Sequence, residues 1–295
     1  MNATPGATTK HGDDRMSDQI ESLFGAIVQH GPANDRIYLM KLGDADPEKL
    51  VEALGALARR HNYSKIFTKV PEGSAAPFFD AGYRQEAAIP RFFCGKESAL
   101  FLCLYPNPAR AKEPQADALD AILVQAQQRR NAGLRKPLPD GAVLRTCEEA
   151  DAANMAAIYR AVFPSYPFPI HDPAYLIETM RSHIAYFGIE LDGKLIALAS
   201  SEMDEAQGNV EMTDFATHPD RLGLGLAAHL LAAMEPAMRK RGIQTAYTIA
   251  RAASPGMNIT FARLGYAFGG RLINNTQISG TIESMNIWHK PLAPH

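Results

Sequence analysis

Cysteine is scarce: Cys94, Cys103 and Cys147 are the only three in 295 residues. They show neither the CxxC spacing of a metal or redox site nor the even count of a disulfide framework. No metal centre and no covalent staple is therefore expected, and a reducing cytoplasm suits the chain. An excess of one charge is missing too. Thirty Lys and Arg stand against 32 Asp and Glu, a formal net charge of -2, which excludes the basic field that nucleic-acid binding relies on. Long hydrophobic runs are absent as well. The longest, Leu222 to Met234, is broken by two glycines and a histidine and falls short of the ~20 residues a membrane span needs. Neither nucleic acid nor a membrane is an expected partner. Residues 1–16 are polar, lack an apolar signal core and read as a disordered leader.

What remains is an ordinary globular composition, 46% hydrophobic and 21% charged, with the length of about two domains. Over 17–106 the patterning alternates. Strands are expected at Arg36–Leu42, Ser64–Val70, Tyr83–Pro90 and Ala99–Tyr105, with an amphipathic helix at Pro47–Arg60 and a short one near Ala75–Asp80. This predicts an N-terminal α/β domain. Over 107–140 Pro, Ala, Gln and Arg dominate; Asp117 and Asp120 early and Arg129 and Arg130 late suit a helix dipole, and Gly133 stops it. A linker with one helix is expected there.

Over 141–295 a strand at Ala142–Arg145 and a helix at Glu148–Val162 precede an aromatic, proline-rich loop at Phe163–Pro173 and a short helix near Leu176–Met180. Strands Ile184–Leu191 and Lys194–Ser201 meet at Asp192-Gly193, a strong hairpin signal. Then follow Val210–Thr217, a helix at Leu224–Arg241, Thr245–Arg251, a helix near Asn258–Leu264, and strands Tyr266–Ile273 and Glu283–His289. The order predicts an α/β fold: a mixed, twisted sheet flanked by helices on both faces.

The most informative segment runs from a strand through Thr217-His218-Pro219 and Gly223-Leu224-Gly225-Leu226-Ala227 into a long helix. Glycines admit a ligand close to the backbone, and the free N–H groups of the helix start favour an anion. A pyrophosphate fits such a turn. Gly223, Gly225 and Ala228 also satisfy the G-x-G-x-x-A dinucleotide pattern. That fold, however, needs a buried strand leading straight into the first glycine, and here Asp214, His218, Pro219, Asp220 and Arg221 intervene.

Asp214 and Pro219 ahead of the turn, the Gly223/Gly225/Ala227 pattern and Phe261-Ala-Arg-Leu-Gly-Tyr266 resemble the GCN5-related N-acetyltransferase superfamily over Ala142–Leu292. The segments Phe163–Asp172, Val210–Thr217, Ala246–Arg251, Gly256–Thr260 and Leu272–Asn275 are similar to the β-lysine N-acetyltransferases, and the N-terminal half is similar too. The resemblance implies acetyl-CoA as cofactor, its pyrophosphate held by the backbone of Leu222, Gly223, Leu224, Gly225, Leu226 and Ala227. Phe215, Ala216 and Thr217 would line the pantetheine arm, with Asn258 close by. It implies transfer to the terminal amine of β-lysine, a small-molecule substrate whose acetylated form serves some microbes as a compatible solute. Two positions depart from the family pattern. Leu222 stands where Arg or Gln is usual, and Phe261 stands where a tyrosine often protonates the leaving thiolate, which leaves Tyr266 as a candidate by proximity. The first half resembles a degenerate copy, with Phe78–Tyr83 matching Phe261–Tyr266. Its turn, Leu42-Gly-Asp-Ala-Asp46, offers carboxylates to a pyrophosphate and is not expected to bind CoA.

An amine with a solution pKa of about 10.4 must lose a proton before it attacks a thioester. On Val210–Thr217, Glu211, Thr213 and Phe215 share one face and Met212 and Asp214 the other. Glu211 is the preferred base, and Asp214 is a second catalytic candidate or a structural residue. Glu202 is placed to bind an ammonium or to act as base. Tyr166, His171, Arg251, Asn274 and Asn275 are candidate linings for a substrate with two ammonium groups and one carboxylate. Two other classes stay open: a CoA-binding regulatory module without turnover, and an NADP-dependent oxidoreductase with Arg251 beside a 2′-phosphate. The oligomeric state is left open.

Overall fold

The computed structural model describes residues 18–278 and 280–292; the expected leader lies outside them. The first half holds β1 (Gln19–Leu23), β2 (Ala26–Gly31), β3 (Arg36–Lys41), α1 (Pro47–His61), β4 (Lys65–Pro71), α2 (Ala76–Asp80), β5 (Arg84–Phe93) and β6 (Glu97–Leu104). Helix α3 (Ala116–Gln127) lies in the linker. The second half holds β7 (Val143–Thr146), α4 (Ala152–Val162), α5 (Pro173–Met180), β8 (Ile184–Leu191), β9 (Lys194–Asp204) and β10 (Asn209–Thr217). It continues with α6 (Leu226–Lys240), β11 (Thr245–Arg251), α7 (Pro255–Arg263), β12 (Ala267–Ile278) and β13 (Thr281–Pro291).

Local chemistry accounts for many of the boundaries. Helix α1 starts where Asp46 accepts from the Glu48 N–H and Pro47 pre-sets the first turn; it stops at Asn62 in the left-handed region and buries Leu50, Leu54 and Ala58 on one stripe. Asp192 and Gly193 both have positive φ, 52° and 71°, which two-residue hairpins favour because it matches the strand twist. The β1–β2 hairpin is an addition to the expected elements.

Among the described residues thirteen strands form one sheet in the order β1-β2-β3-β4-β6-β5-β12-β13-β11-β10-β9-β8-β7. Neighbours in the run β1-β2-β3-β4-β6-β5 recur as β8-β9-β10-β11-β13-β12. In each run one parallel pair, β3–β4 or β10–β11, is joined by a crossover helix, α1 or α6. The halves meet where β5 pairs with β12 at Ala87 and Gly270.

In a flat sheet β4 and β11 would stand five steps, about 24 Å, apart at ~4.8 Å per step. Yet Lys69 Nζ on β4 lies 3.2 Å from Tyr247 Oη on β11. The sheet therefore curls until its two halves face each other. Tyr38, Phe67 and Phe92 from one half and Tyr247, Leu272 and Ile287 from the other share a core between them. The outer faces are covered separately, by α1 and α2 on the first half and by α6 on the second. Helices α4 and α5 pack on the opposite face of β8 and β9. Among the described residues no helix is long and apolar enough to cross a membrane.

Candidate active site

Strands β10 and β11 pair only over Asn209–Glu211 and Thr245–Tyr247, although both continue beyond. The cause lies in β10. Its register against β9 shifts between Thr213 and Ala216, and Asp214 sits there at φ 55°, a bulge that bends the strand. The Asp214 carboxylate holds the bulge by accepting from Tyr166 Oη and, at 2.6 Å, from Ser200 Oγ. Strand β11 meanwhile stays with β13 as far as Arg251. A wedge opens between the parallel strands, and the backbone of 213–217 on that side has no ladder partner. An extended ligand carrying amide groups fits such an edge.

At the mouth of the wedge lies the glycine turn. A Cβ at Gly223 or Gly225 would meet nothing within 4 Å, and α6 begins at Gly225 without a side-chain cap. Its first N–H groups are thus available to an anion. The corresponding turn of the first half is closed. A Cβ on Gly43 would lie 2.4 Å from the Gly25 carbonyl oxygen, and Asp46 already caps α1.

Beside Gly225 the linker and two helices enclose a recess of about 250 Å³ whose lining includes Arg129, Arg135, Lys136, His229 and Arg263. Lys136 Nζ donates to the Gly223 carbonyl at 3.0 Å, and Arg263 Nε to the Gly133 carbonyl at 2.9 Å. A linear pattern reads 107–140 as a connector and misses these cations. The available signal was the Arg129-Arg130 and Arg135-Lys136 pairs in an otherwise charge-balanced chain. The three phosphates of a CoA molecule would meet a helix start and four permanent cations here, so the residues present fit that cofactor.

At the closed end of the wedge stands Glu211, on the last rung with Tyr247 and opposite Glu202 on β9. Burial first, and then the Glu202 charge, push its carboxyl up to about 7, against the opposing pull of Lys69 and Tyr247. A carboxylate with that proton affinity is matched to base catalysis near neutral pH. Glu202 in turn lies 3.8 Å from His183, whose imidazole is pushed up by that partner. Burial also raises Asp214, but both its oxygens are already engaged by hydroxyls, which suits it to shaping the bulge. Phe215 sets its ring edge-on to Phe261, while Ala216 and Thr217 pair with β9.

Several expected residues lie elsewhere. Tyr266 is completely buried, its ring edge-on to Phe261, so it has no path to a leaving thiolate. Tyr83 makes the same contact with Phe78 in the first half, which marks the motif as structural. Asn258 is fully buried too. Its amide donates to the carbonyls of Arg251 and Ser254 and accepts from Asn286 and Trp288, so it joins α7 to β11 and β13 and leaves nothing for a cofactor. Asn274 donates to the carbonyls of Arg110 and Lys112 and so ties β12 to the linker, and Asn275 is buried with its carbonyl receiving Arg36, which ties β12 to the first half. Arg251 makes a two-point pair with Glu283 at 2.9 and 2.6 Å. His171 lies in the loop before α5, its carbonyl receiving Arg160. Tyr166 alone of the expected lining reaches the bulge. Sequence reasoning missed Lys69 and Tyr247, which touch only because the sheet curls.

A family model described as the Acetyltransferase (GNAT) family matches residues 154–266. The chain is 35% identical over 273 residues to the Beta-lysine N(6)-acetyltransferase of Methanococcus maripaludis, covering 92% of this chain and 98% of the relative. It is 35% identical over 265 residues to the protein of the same name from Methanosarcina mazei, covering 83% and 97%. N-acetyltransferase YodP of Bacillus subtilis is 30% identical over 267 residues, covering 90% and 96%. Likeness that runs through both halves overturns the oxidoreductase alternative, which rested on the glycine turn and on Arg251 beside a 2′-phosphate. The chain belongs to the GNAT family and is an acetyl-CoA-dependent N-acetyltransferase.

Proposed function

We propose that the enzyme acetylates the terminal amine of β-lysine with Glu211 as general base, and that its three parts divide the work. In this reading 141–295 carries catalysis, the linker 107–140 supplies cations to the cofactor phosphates, and 17–106 closes the amine side of the site. The observation that carries it is a carboxylate of near-neutral proton affinity at the end of the β10–β11 wedge.

Bound acetyl-CoA supplies the acyl group as a thioester. Glu211 takes a proton from the substrate ammonium, directly or through one water. The freed nitrogen lone pair then forms the amide bond as the carbon–sulfur bond breaks, and the second N–H proton leaves with the sulfur. Beyond Glu211 the backbone of β10 has no ladder partner on the wedge side, which suits its N–H groups to stabilise the developing oxyanion. The product keeps one ammonium and one carboxylate and so has no net charge, a property that fits a compatible solute held in the cytoplasm.

The test is thiol release from acetyl-CoA with β-lysine, α-lysine, ornithine and spermidine, alongside Glu211→Gln. The expected result is a kcat/KM for β-lysine well above that of the other amines, N6-acetyl-β-lysine as product, and loss of turnover in the variant with acetyl-CoA binding intact. Preference for spermidine would overturn the substrate, and full activity of Glu211→Gln would overturn the base.

A further inference from the structure

Lys69 carries a charge that acts on Glu211 at a distance and to which the reaction outlined above gives no contact with the substrate. It projects from β4 in the first half, and its ammonium donates to Tyr247 Oη at 3.2 Å. The same nitrogen lies 5.5 and 5.4 Å from the ring centroids of Phe92 and Tyr247. It is half-buried, and among the described residues no carboxylate comes within the 4.0 Å of an ion pair. Glu211, Glu202 and Asp204 attract it only from beyond ion-pair distance, and taking an ammonium out of water without a directly contacting counter-ion is costly. Such an arrangement becomes favourable when a ligand brings the counter-charge.

Four other cations among the described residues of this region are occupied. Lys41 pairs with Asp204 at 2.8 Å and Arg251 with Glu283. Lys65 and Arg36 are buried and serve the carbonyls of Ile273 and Asn275 across the seam. Lys69 stands one side chain, Tyr247, away from the rung that holds Glu211, with Glu202 next across the sheet. One positive group and two carboxylates thus surround the closed end of the wedge, the complement of a substrate with one carboxylate and two amines.

We propose that Lys69 receives the carboxylate of the amine substrate, so that the N-terminal half selects a diamino acid over a plain diamine or polyamine. This rests on the β-lysine reading above. Lys69 Nζ donates to a carboxylate oxygen while keeping its contact with Tyr247, and Glu202 faces the amine that is not acetylated. The duplicated half, closed at its own glycine turn, thereby supplies substrate recognition to its partner half.

The test compares β-lysine with 1,4-diaminopentane, the same skeleton without its carboxylate, on the wild type, Lys69→Met and Lys69→Arg. A charge-assisted contact predicts that Lys69→Met loses roughly 30–100-fold in kcat/KM for β-lysine, mostly through KM, and less than about threefold for the diamine. Lys69→Arg regains part of the loss. Acetyl-CoA binding and the melting temperature of Lys69→Gln, a polar neutral variant, establish that folding is kept and that the same selective loss follows the charge. Equal losses on both amines, or an unchanged KM for β-lysine, would overturn the inference while leaving the β-lysine assignment in place. A wild type that prefers the diamine would remove both.

Discussion

Glu211 is placed where ionisation is costly, and the cost has a sign that can be measured. Its folded-state proton affinity, about 7, lies above the ordinary 4.5, so between those values the folded protein binds more proton than the unfolded chain. Stability contributed by this residue is therefore full at acid pH and is lost as pH rises through about 7. Glu211→Gln should raise stability at pH 8 by on the order of 1–3 kcal/mol, with the gain vanishing near pH 5. Melting scans at the two pH values check this; a variant less stable at pH 8 would show that Lys69 and Tyr247 more than compensate the buried charge. Activity runs the other way, because kcat/KM should fall tenfold per unit below about pH 7 as the base becomes protonated. Tyr266 is the contrasting residue. Fully buried in a motif that the first half repeats with Tyr83, it should tolerate Tyr266→Phe with kcat within about twofold of wild type, since a structural hydroxyl is not asked to move a proton. A large fall in kcat at unchanged stability would restore it as the thiolate acid.

At the scale of elements, the glycine turn and α6 were legible because their signal is local: a strand, positive-φ glycines, a helix start. So was the hairpin at Asp192-Gly193. The β1–β2 hairpin was not, because β2 buries Gln29 and His30 and β1 lies exposed at the sheet edge, which removes the apolar alternation that would announce a strand. The linker shows the same limit in electrostatic form. Its cations are ordinary in sequence and meaningful only once α3 and the following turn lie beside Gly225. Reversing the charge at Arg135 and Lys136 together, each to Glu, should raise KM for acetyl-CoA by roughly tenfold or more, with a steeper dependence on salt in the wild type than in the variant. KM for the amine should stay within about twofold, since these residues lie at the far end of the wedge. Equal effects on both substrates would indicate a general loss of structure, and no effect would remove the linker from the cofactor site.

At the scale of the molecule, the sequence cannot announce that β4 comes to face β11, because that contact depends on the curl accumulated over five strand steps. The seam that fixes the curl is narrow. Gly270 pairs with Ala87 at φ 140°, and a Cβ there would lie 2.2 Å from the Glu86 carbonyl oxygen and 2.5 Å from Ala87 Cα. Around it, Lys65 Nζ donates to the Ile273 carbonyl at 2.7 Å, Arg110 Nε to the Asn274 carbonyl at 2.8 Å, and the Ile273 N–H to Glu86 Oε2 at 3.0 Å. Gly270→Ala combines an unfavourable φ with a backbone clash, a class of change that typically costs more than ~2 kcal/mol. Its functional signature should be directional. The glycine turn, α6 and the Arg135–Lys136 end of the linker lie outside the seam and should keep acetyl-CoA affinity within about threefold, whereas Lys69 and Glu211 sit on opposite sides of it, so KM for the amine should rise by roughly tenfold. Isothermal titration with acetyl-CoA beside amine kinetics separates the two. Parallel weakening of both ligands would mean that the halves fold as one cooperative unit, whereas an unaffected amine KM would mean that the second half builds the amine site alone.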